Sequence, residues 1–310
     1  MKRRLLAPLL LLTAVIAAAA FAAPGAAKRK ILFFTKSSGF EHSVISWKKG
    51  KPSHAEKVLL ELGAKNGWEF EFSKDGSKFS KDYLAQFDTI MFYTTGDLCS
   101  PGTDGEPPMT QEGKQALFDH IRSGKGFVGT HSASDTFHTN NESKKGPDRY
   151  LNHGEKADPY VRFLGGEFIK HGAQQDAKNT VVNPKFPGFE NVGKEYGFME
   201  EWYSLKDFTP DIHVLSVINS PAMKGKEYER PAYPSTWARK EGDGRVFYSA
   251  MGHREDVWTN PTFQQILVGA LNWANGDAKA DITPNIKEVA PEAYTNPPYV
   301  EPPPPKPAKK

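Results

Sequence analysis

The chain has 310 residues, of which 38% are hydrophobic, and its formal net charge is +3 at pH 7. The basic residues are scattered along the body, so the charge pattern argues against a nucleic-acid-binding groove. The only cysteine is Cys99, which excludes an intramolecular disulfide and leaves the hydrophobic core to stabilise the fold.

The N-terminus has the pattern of a secretory signal peptide. Lys2, Arg3 and Arg4 form a charged start, residues 5–20 are apolar, and small residues near Ala23 offer cleavage sites. We therefore expect residues 1–23 to be removed and the mature protein to be periplasmic or extracellular, without a stable membrane span. The alternative is an uncleaved membrane anchor.

The first half of the body alternates between strand and helix patterns. Short apolar or alternating runs predict strands at residues 30–35, 68–73, 89–94 and 126–130. Helices are predicted between them, beginning near Ser53, Ser80 and Thr110. This order is typical of right-handed β-α-β units on a parallel sheet with helices on its faces.

The middle of the chain is less regular and reads as a β-rich insertion. Its strand-like segments are residues 166–171, 180–182, 197–205, 213–218 and 235–239. Regularity returns with a strand at residues 245–250 and a last helix between Asn260 and Gly276. We expect one α/β domain over residues 28–276, with a mostly parallel central sheet flanked by helices.

The C-terminal residues 277–310 are rich in proline and lysine. They offer little apolar surface to offset the entropy cost of ordering. We expect this segment to be a disordered extension that the fold can lose without a large change in melting temperature.

The turn after the fourth strand is the strongest candidate for a functional position. A helix, a short strand and a sharp polar turn follow one another, which is the geometry of a nucleophile elbow. The residue at the apex is His131, and Ser132 and Asp135 follow it. The alternative is a histidine that only makes structural hydrogen bonds at the end of a strand.

Two further histidines also follow predicted core strands. His42 lies in the loop after the first strand, and His253 follows the last one. Because the carboxyl ends of parallel strands share one edge of a sheet, we expect these histidines to lie close to His131 at that edge. His171, at another strand end, is a further candidate.

The pair Glu200-Glu201 lies in a strand-like segment. Neighbouring side chains of a strand point to opposite faces, so only one of the two is expected to face the histidines. Several neutral imidazoles and one carboxylate suit zinc or a similar divalent ion with an open position for water. A short metal-binding motif such as H-E-x-x-H is absent from the sequence.

Several blocks of the body resemble the ThuA-like family, which is linked to trehalose utilisation. The matching blocks are residues 38–45, 129–135, 164–168 with His171, 201–203, 244–248 and 252–253. The resemblance implies a fold similar to class I glutamine amidotransferases, in the flavodoxin-like group. It also implies a histidine-rich metal site and gives the site-facing role to Glu201.

The sequence departs from the family pattern at two positions and from the amidotransferase pattern at one. Glu41 and Ser43 stand where arginine and aspartate are expected. The elbow carries His131 where glutamine amidotransferases have a cysteine, so glutamine hydrolysis is not expected. Cys99 follows a different strand, and we expect it to be inert.

These observations favour an exported carbohydrate-processing enzyme, a metal-assisted hydrolase or lyase acting on a trehalose-like or keto-glycoside substrate. The expected metal ligands, with zinc as the favoured ion, are His42, His131, His171, Glu201 and His253. The expected catalytic residues are His131, Glu201 and Asp135. The expected substrate-binding residues are Phe40, Ser132, Trp202, Tyr203 and Arg254.

Two other functions remain open. One is a non-catalytic module that binds sugar on an amidotransferase-like scaffold, and the other is a surface-anchoring protein, as the proline-rich segment suggests. Core packing is the alternative role for each aromatic residue named above, and for Trp258.

Overall fold

The computed structural model of the protein describes residues 28–48, 50–139 and 146–301. The predicted signal peptide and the last residues of the proline-rich segment, 302–310, lie outside the described residues. The strands are β1 (Arg29–Phe34), β2 (Trp68–Ser73), β3 (Thr89–Phe92), β4 (Gly126–Thr130), β5 (Glu167–His171), β6 (Gln175–Val181), β7 (Glu195–Glu200), β8 (Tyr203–Lys206), β9 (His213–Ile218), β10 (Tyr233–Glu241) and β11 (Gly244–Ser249). The α-helices are α1 (His54–Asn66), α2 (Lys81–Leu84), α3 (Gln111–Arg122), α4 (Pro159–Leu164), α5 (Glu255–Trp258), α6 (Pro261–Asn275) and α7 (Ile286–Val289).

A sheet of nine strands forms the centre of the α/β fold. Its order is β2-β1-β3-β4-β11-β10-β9-β6-β7. The pairings from β2 to β11 are parallel, and those from β11 to β7 are antiparallel. The expected parallel sheet is therefore only half of a mixed sheet, and much of the predicted insertion continues that sheet.

A tight hairpin explains the change from parallel to antiparallel pairing. Two residues, Gly242 and Asp243, join β10 to β11, and a connection this short permits only antiparallel neighbours. Gly242 has a φ of +59°, which glycine adopts readily in hairpin turns. The hairpin places β11 next to β4 and so brings the chain back to the centre of the sheet.

The segment predicted as one strand over residues 197–205 is two strands in two sheets. It breaks at Glu201 and Trp202, so that β7 ends on the edge of the large sheet and β8 pairs with β5 in a separate two-stranded sheet. The predicted strand at residues 180–182 overlaps the end of the longer β6. The rest of β6 is mostly polar, so the sequence pattern did not indicate a strand there.

Helices α1 and α6 begin and end where the sequence indicates. Ser53 and Glu56 form a complete capping box at α1, and Asn260 caps α6, which stops at Gly276 with a φ of +83°. Both helices bury an apolar face in the core. In the described part of the chain, no helix is long and apolar enough to cross a membrane.

Residues 277–301 pack on the domain, so the expectation of a disordered extension is wrong for them. Ile286 of α7 is buried together with Ala290 and Ala293. Asn285 accepts a hydrogen bond from the Val214 backbone N–H of β9 at 2.7 Å. The apolar residues are few but spaced three to four apart, so α7 and the turn that follows it bury them together.

Candidate functional site

Three strands of the large sheet deliver histidines to one point at its carboxyl edge. The loop after β1 carries His42, the turn after β4 begins with His131, and the loop after β11 carries His253. Their ring centroids are 4.9 Å apart for His42 and His131, 5.2 Å for His42 and His253, and 5.1 Å for His131 and His253. Together with Glu201 they form what we call the histidine cluster.

His131 is held in a strained turn at the apex of the elbow. Its φ is +43°, a conformation that residues with a Cβ rarely adopt outside functional turns. Its Nδ1 lies 3.3 Å from the backbone oxygen of Ala250, an acceptor that fixes the ring proton on Nδ1. The bare Nε2 therefore faces Glu201 and His253. Burial lowers the pKa of His131, against the opposing effect of the nearby Glu201 carboxylate.

His42 is buried beside the rings of His131 and His253. Its Nδ1 is inaccessible to solvent and has no protein partner. Burial, reinforced by the neighbouring His131 and His253, holds the pKa of His42 well below its ordinary value. The ring is therefore neutral at physiological pH, which is the form that binds a metal ion.

Glu201 joins the histidines from the break between β7 and β8. One oxygen, Oε2, lies 3.1 Å from His253 Nδ1 and 3.6 Å from His131 Nε2. Its other oxygen lies 3.2 Å from Nδ1 of the half-exposed His171. Burial raises the pKa of Glu201, but the interactions of its carboxylate with His131 and His253 outweigh burial and lower that pKa well below its ordinary value.

Glu200 contacts the backbone of the loop that carries His253, whereas the carboxylate grouped with the three histidines belongs to Glu201. The chain turns out of β7 at Glu201, and strict alternation ends there. One Glu200 oxygen accepts hydrogen bonds from the backbone N–H groups of Gly252 and His253, both at 2.6 Å. The other oxygen, Oε2, is buried without a partner. Burial raises the pKa of Glu200 to about 7, against the opposing backbone hydrogen bonds.

The donor set of the histidine cluster fits a tetrahedral divalent ion. One ligand atom from each of the four residues lies within 4.8 Å of the others. His131 Nε2 and His253 Nδ1 are 3.3 Å apart. Ligand atoms about 2.0 Å from a tetrahedral metal ion are about 3.3 Å from one another, so these donors stand at the separation that zinc requires. One ring nitrogen of His42 completes the set.

The structure buries three of the five predicted substrate-binding residues. Trp202 is 1% exposed, and its indole N–H donates to the Gln175 backbone oxygen. Tyr203 is also buried, with its ring centroid 4.1 Å from that of His131. Ser132 is fully buried and its hydroxyl has no partner. Trp202 and Tyr203 therefore support the site from within, because the break before β8 turns them inward. Trp258 is likewise buried.

Phe40 and Arg254 lie at the rim of the site, where a substrate can reach them. Phe40 is 65% exposed, and its ring stands edge-on to His42 with 5.0 Å between the centroids. Arg254 donates to Gln174 at 2.7 Å and forms a two-point ion pair with Asp256. Gln174, which sequence reasoning did not single out, also contacts His253 at 3.0 Å.

The two departures from the family pattern have local partners. Glu41 forms an ion pair of 2.9 Å with the buried Lys74. Ser43 donates a hydrogen bond of 2.6 Å to Glu255. Both contacts hold the loop that carries His42 against neighbouring elements.

Asp135, a predicted catalytic residue, faces a second cluster of charges. It lies 2.6 Å from His138 Nε2 and 3.3 Å from Arg149. The same region holds His153, Glu167 and Asp207, whose ligand atoms also come within 4.8 Å of one another. Lys206 stands among them with its ammonium group 3.0 to 3.1 Å from each of the three. That ammonium group already supplies the positive charge, so we do not assign a metal site there.

Cys99 is a half-buried free cysteine. Burial and the neighbouring Asp97 raise the pKa of its thiol to about 11. A thiol with this pKa is almost entirely protonated near neutral pH and is a weak nucleophile.

Tyr93 is a site residue that the sequence patterns did not reveal. It follows β3, and its ring centroid lies 5.3 Å from that of His42 and 5.7 Å from that of His131. Its hydroxyl is buried without a partner. A tyrosine at the end of an apolar strand has the pattern of a core residue. Only the pairing of β3 with β4 shows that Tyr93 lies next to His131.

The comparisons with known proteins agree with this architecture. The sequence model of the ThuA family, described as trehalose utilisation, matches residues 30–274. A ThuA-like protein from Bacteroides uniformis is 20% identical, with a TM-score of 0.57 over 82% of this chain and 94% of that one. A ThuA-like protein from Parabacteroides merdae is 16% identical, with a TM-score of 0.53 over 88% and 98%. At these identities the two structures show the fold alone. No curated protein matches the chain.

Proposed function

This chain belongs to the ThuA, or trehalose utilisation, family, and from that premise we propose that it is an exported enzyme that processes carbohydrates. The proposed activity is a metal-assisted hydrolysis or elimination on a trehalose-like or keto-glycoside substrate. The family description supports the substrate class, and the histidine cluster supports the chemistry. Export is supported by the charged and apolar pattern of residues 1–23.

One observation carries the proposal. Donor atoms of His131, His253 and Glu201 stand 3.1 to 3.6 Å apart at a single point, and a ring nitrogen of His42 lies within 4.8 Å of them. Three imidazoles and one carboxylate are a zinc-type donor set. When bound, a divalent ion would polarise a sugar oxygen or lower the pKa of a water molecule.

The side chains of the site have separate proposed roles in metal binding and proton transfer. His42, His131, His253 and Glu201 would hold the ion, and His171 fixes the second oxygen of Glu201. Because its pKa is far below 7, Glu201 is a weak base at neutral pH and suits a ligand better than a proton acceptor. Glu200, with a pKa of about 7 and a free oxygen, is the group best matched to proton transfer.

The rim of the site suits a polyhydroxyl substrate. The exposed ring of Phe40 offers an apolar face for a sugar ring. His171 and the amide of Gln174 offer hydrogen-bonding groups on the other side of the histidine cluster.

The test is the metal content and the turnover of the protein together. We expect about one zinc ion per chain in protein purified without chelator, measured by elemental analysis. We also expect trehalose or its keto derivative to be consumed only by the metal-loaded form. Tight sugar binding without turnover, and without metal, would instead establish the alternative function, a non-catalytic sugar-binding module.

Metal binding should weaken as the pH falls, because protons compete for the imidazole nitrogens. Burial lowers the pKa of His253, but its hydrogen bond to Glu201 and the charge of that carboxylate outweigh burial and raise the pKa above the ordinary value. The pKa values of His42 and His131 are lowered, so His253 is the last of the three to lose its proton as pH rises.

We therefore expect the apparent zinc affinity to rise about tenfold per pH unit below the pKa of His253 and to level off above it. Competition titrations between pH 5.5 and 8.5 measure this slope. His253→Gln should bind more weakly and with a flatter profile, and a flat profile in the wild type would contradict the assignment.

A further inference from the structure

A buried cluster of charges lies behind the elbow and does not belong to the histidine cluster. We call it the charged cluster, and its members are Asp135, His138, Arg149, Glu167, Lys206 and Asp207. Their side chains are at most 9% exposed. Charges at this depth are costly unless they are paired, so an arrangement that keeps them needs a reason.

His138 stands at the centre of the charged cluster as a positive ion. Its Nδ1 lies 2.7 Å from Glu167 Oε1, and its Nε2 lies 2.6 Å from Asp135 Oδ1. Ionised carboxylates only accept hydrogen bonds, so both ring nitrogens must carry protons. With His138 charged, three carboxylates face the three cations His138, Arg149 and Lys206, and the cluster is neutral as a whole.

The two carboxylates that His138 joins belong to different parts of the fold. Asp135 ends the turn that His131 begins. Glu167 begins β5, the strand that ends at His171. Glu167 also pairs with Lys206, which lies opposite it on β8. β8 in turn begins at Tyr203, two residues after Glu201.

The small sheet of β5 and β8 therefore presents two of the residues near the metal position, and the elbow presents a third. His171 and Tyr203 are opposite one another in the small sheet, and the Tyr203 ring packs on His131 with 4.1 Å between the centroids. Any movement of this sheet relative to the elbow changes the distance between Glu201 and His131.

We propose that His138 is a positioning residue, which clamps the small sheet to the elbow and so sets the position of Glu201 in the histidine cluster. The expected effect on metal binding rests on the proposed function, whereas the clamp itself rests on the geometry of the charged cluster. His138 itself contacts neither the metal position nor the substrate rim. Its charge provides two strong hydrogen bonds at once, which a neutral side chain cannot supply.

The test is a double-mutant cycle between His138 and Glu201, read as Zn²⁺ affinity in competition with a chromophoric chelator. We expect His138→Gln to weaken binding about tenfold, as loss of an outer contact of a metal site does. In the Glu201→Gln background the same change should have almost no effect, because the ligand that it positions is already gone. An equal loss in both backgrounds would overturn the proposal.

His213→Gln is the matched control. His213 is also buried, and its two ring nitrogens are 2.5 Å from the Thr283 oxygen and 2.9 Å from the Asn183 amide. This change should lower stability while leaving the Zn²⁺ affinity unchanged. If His138→Gln does not fold, Glu167→Gln breaks the same clamp at its other end and should give the same pattern.

A wild-type protein that binds no Zn²⁺ would reject the proposed function without deciding the clamp. The crystal structure of metal-free His138→Gln then decides it. Separation of Glu201 from His131 by roughly an ångström or more beyond the wild-type distance supports the clamp. Unchanged positions of both residues would overturn it.

Discussion

Replacing His131 with asparagine should weaken zinc binding about a hundredfold and abolish any sugar-directed activity while the fold persists. Asparagine tolerates the positive φ of His131 better than alanine does, so the backbone of the elbow should survive. A four-ligand zinc site contributes about 10–16 kcal/mol, so one ligand accounts for roughly 3 kcal/mol, or about a hundredfold in affinity. Elemental analysis, chelator competition and activity assays measure the loss, and His253→Ala should behave in the same way.

The control for these variants is His120→Asn. His120 lies beside Lys125 and Asp88, which precede β4 and β3 at the opposite edge of the sheet. His54 is a poor control because its Nε2 lies 3.0 Å from the backbone oxygen of Glu255, which begins α5 two residues after His253. An unchanged zinc affinity of His131→Asn in chelator competition would refute the metal site.

Truncating the chain after Gly276 should lower the melting temperature by roughly 10–20 °C. The deletion removes the buried Ile286 and the hydrogen bonds of Asn285 to β9. It also removes the Ala293 oxygen that accepts from the buried Arg230 at 2.6 Å. Loss of a buried isoleucine costs about 2–5 kcal/mol and each hydrogen bond about 1 kcal/mol. A total of about 5 kcal/mol corresponds to that shift for a domain of this size.

Point variants separate packing from chain length in this experiment. Ile286→Ala should account for about half of the loss measured by calorimetry, whereas Lys287→Ala, on the exposed side of the same turn, should leave the melting temperature almost unchanged. A truncated protein that melts with the wild type would show that residues 277–301 add nothing to the core.

The position of the histidine cluster could be predicted from the sequence because it depends on local patterns. Short apolar runs identify β1, β4 and β11, and parallel strands bring their carboxyl ends to one edge. His42, His131 and His253 follow from that rule alone. The caps of α1 and α6 are equally local, since Ser53 and Asn260 lie next to the helices that they cap.

What the sequence did not reveal depends on contacts between distant segments. The break between Glu200 and Glu201 follows from the pairing of β8 with β5, which no alternation pattern encodes. The charged cluster joins His138 to Glu167, 29 positions apart. Ile286 was overlooked because the prolines and lysines around it dominate the composition, although its spacing to Ala290 and Ala293 was visible.

The position of β11 has a consequence for how the chain acquires its structure. It is the last strand along the sequence, yet it fills the centre of the sheet between β4 and β10. Until residue 249 has left the ribosome, β4 has an open edge, and such edges invite pairing with other chains. Contacts between distant residues also form slowly. The protein must therefore complete its sheet after synthesis of nearly the whole body, and His42 and His253 meet only in that late step.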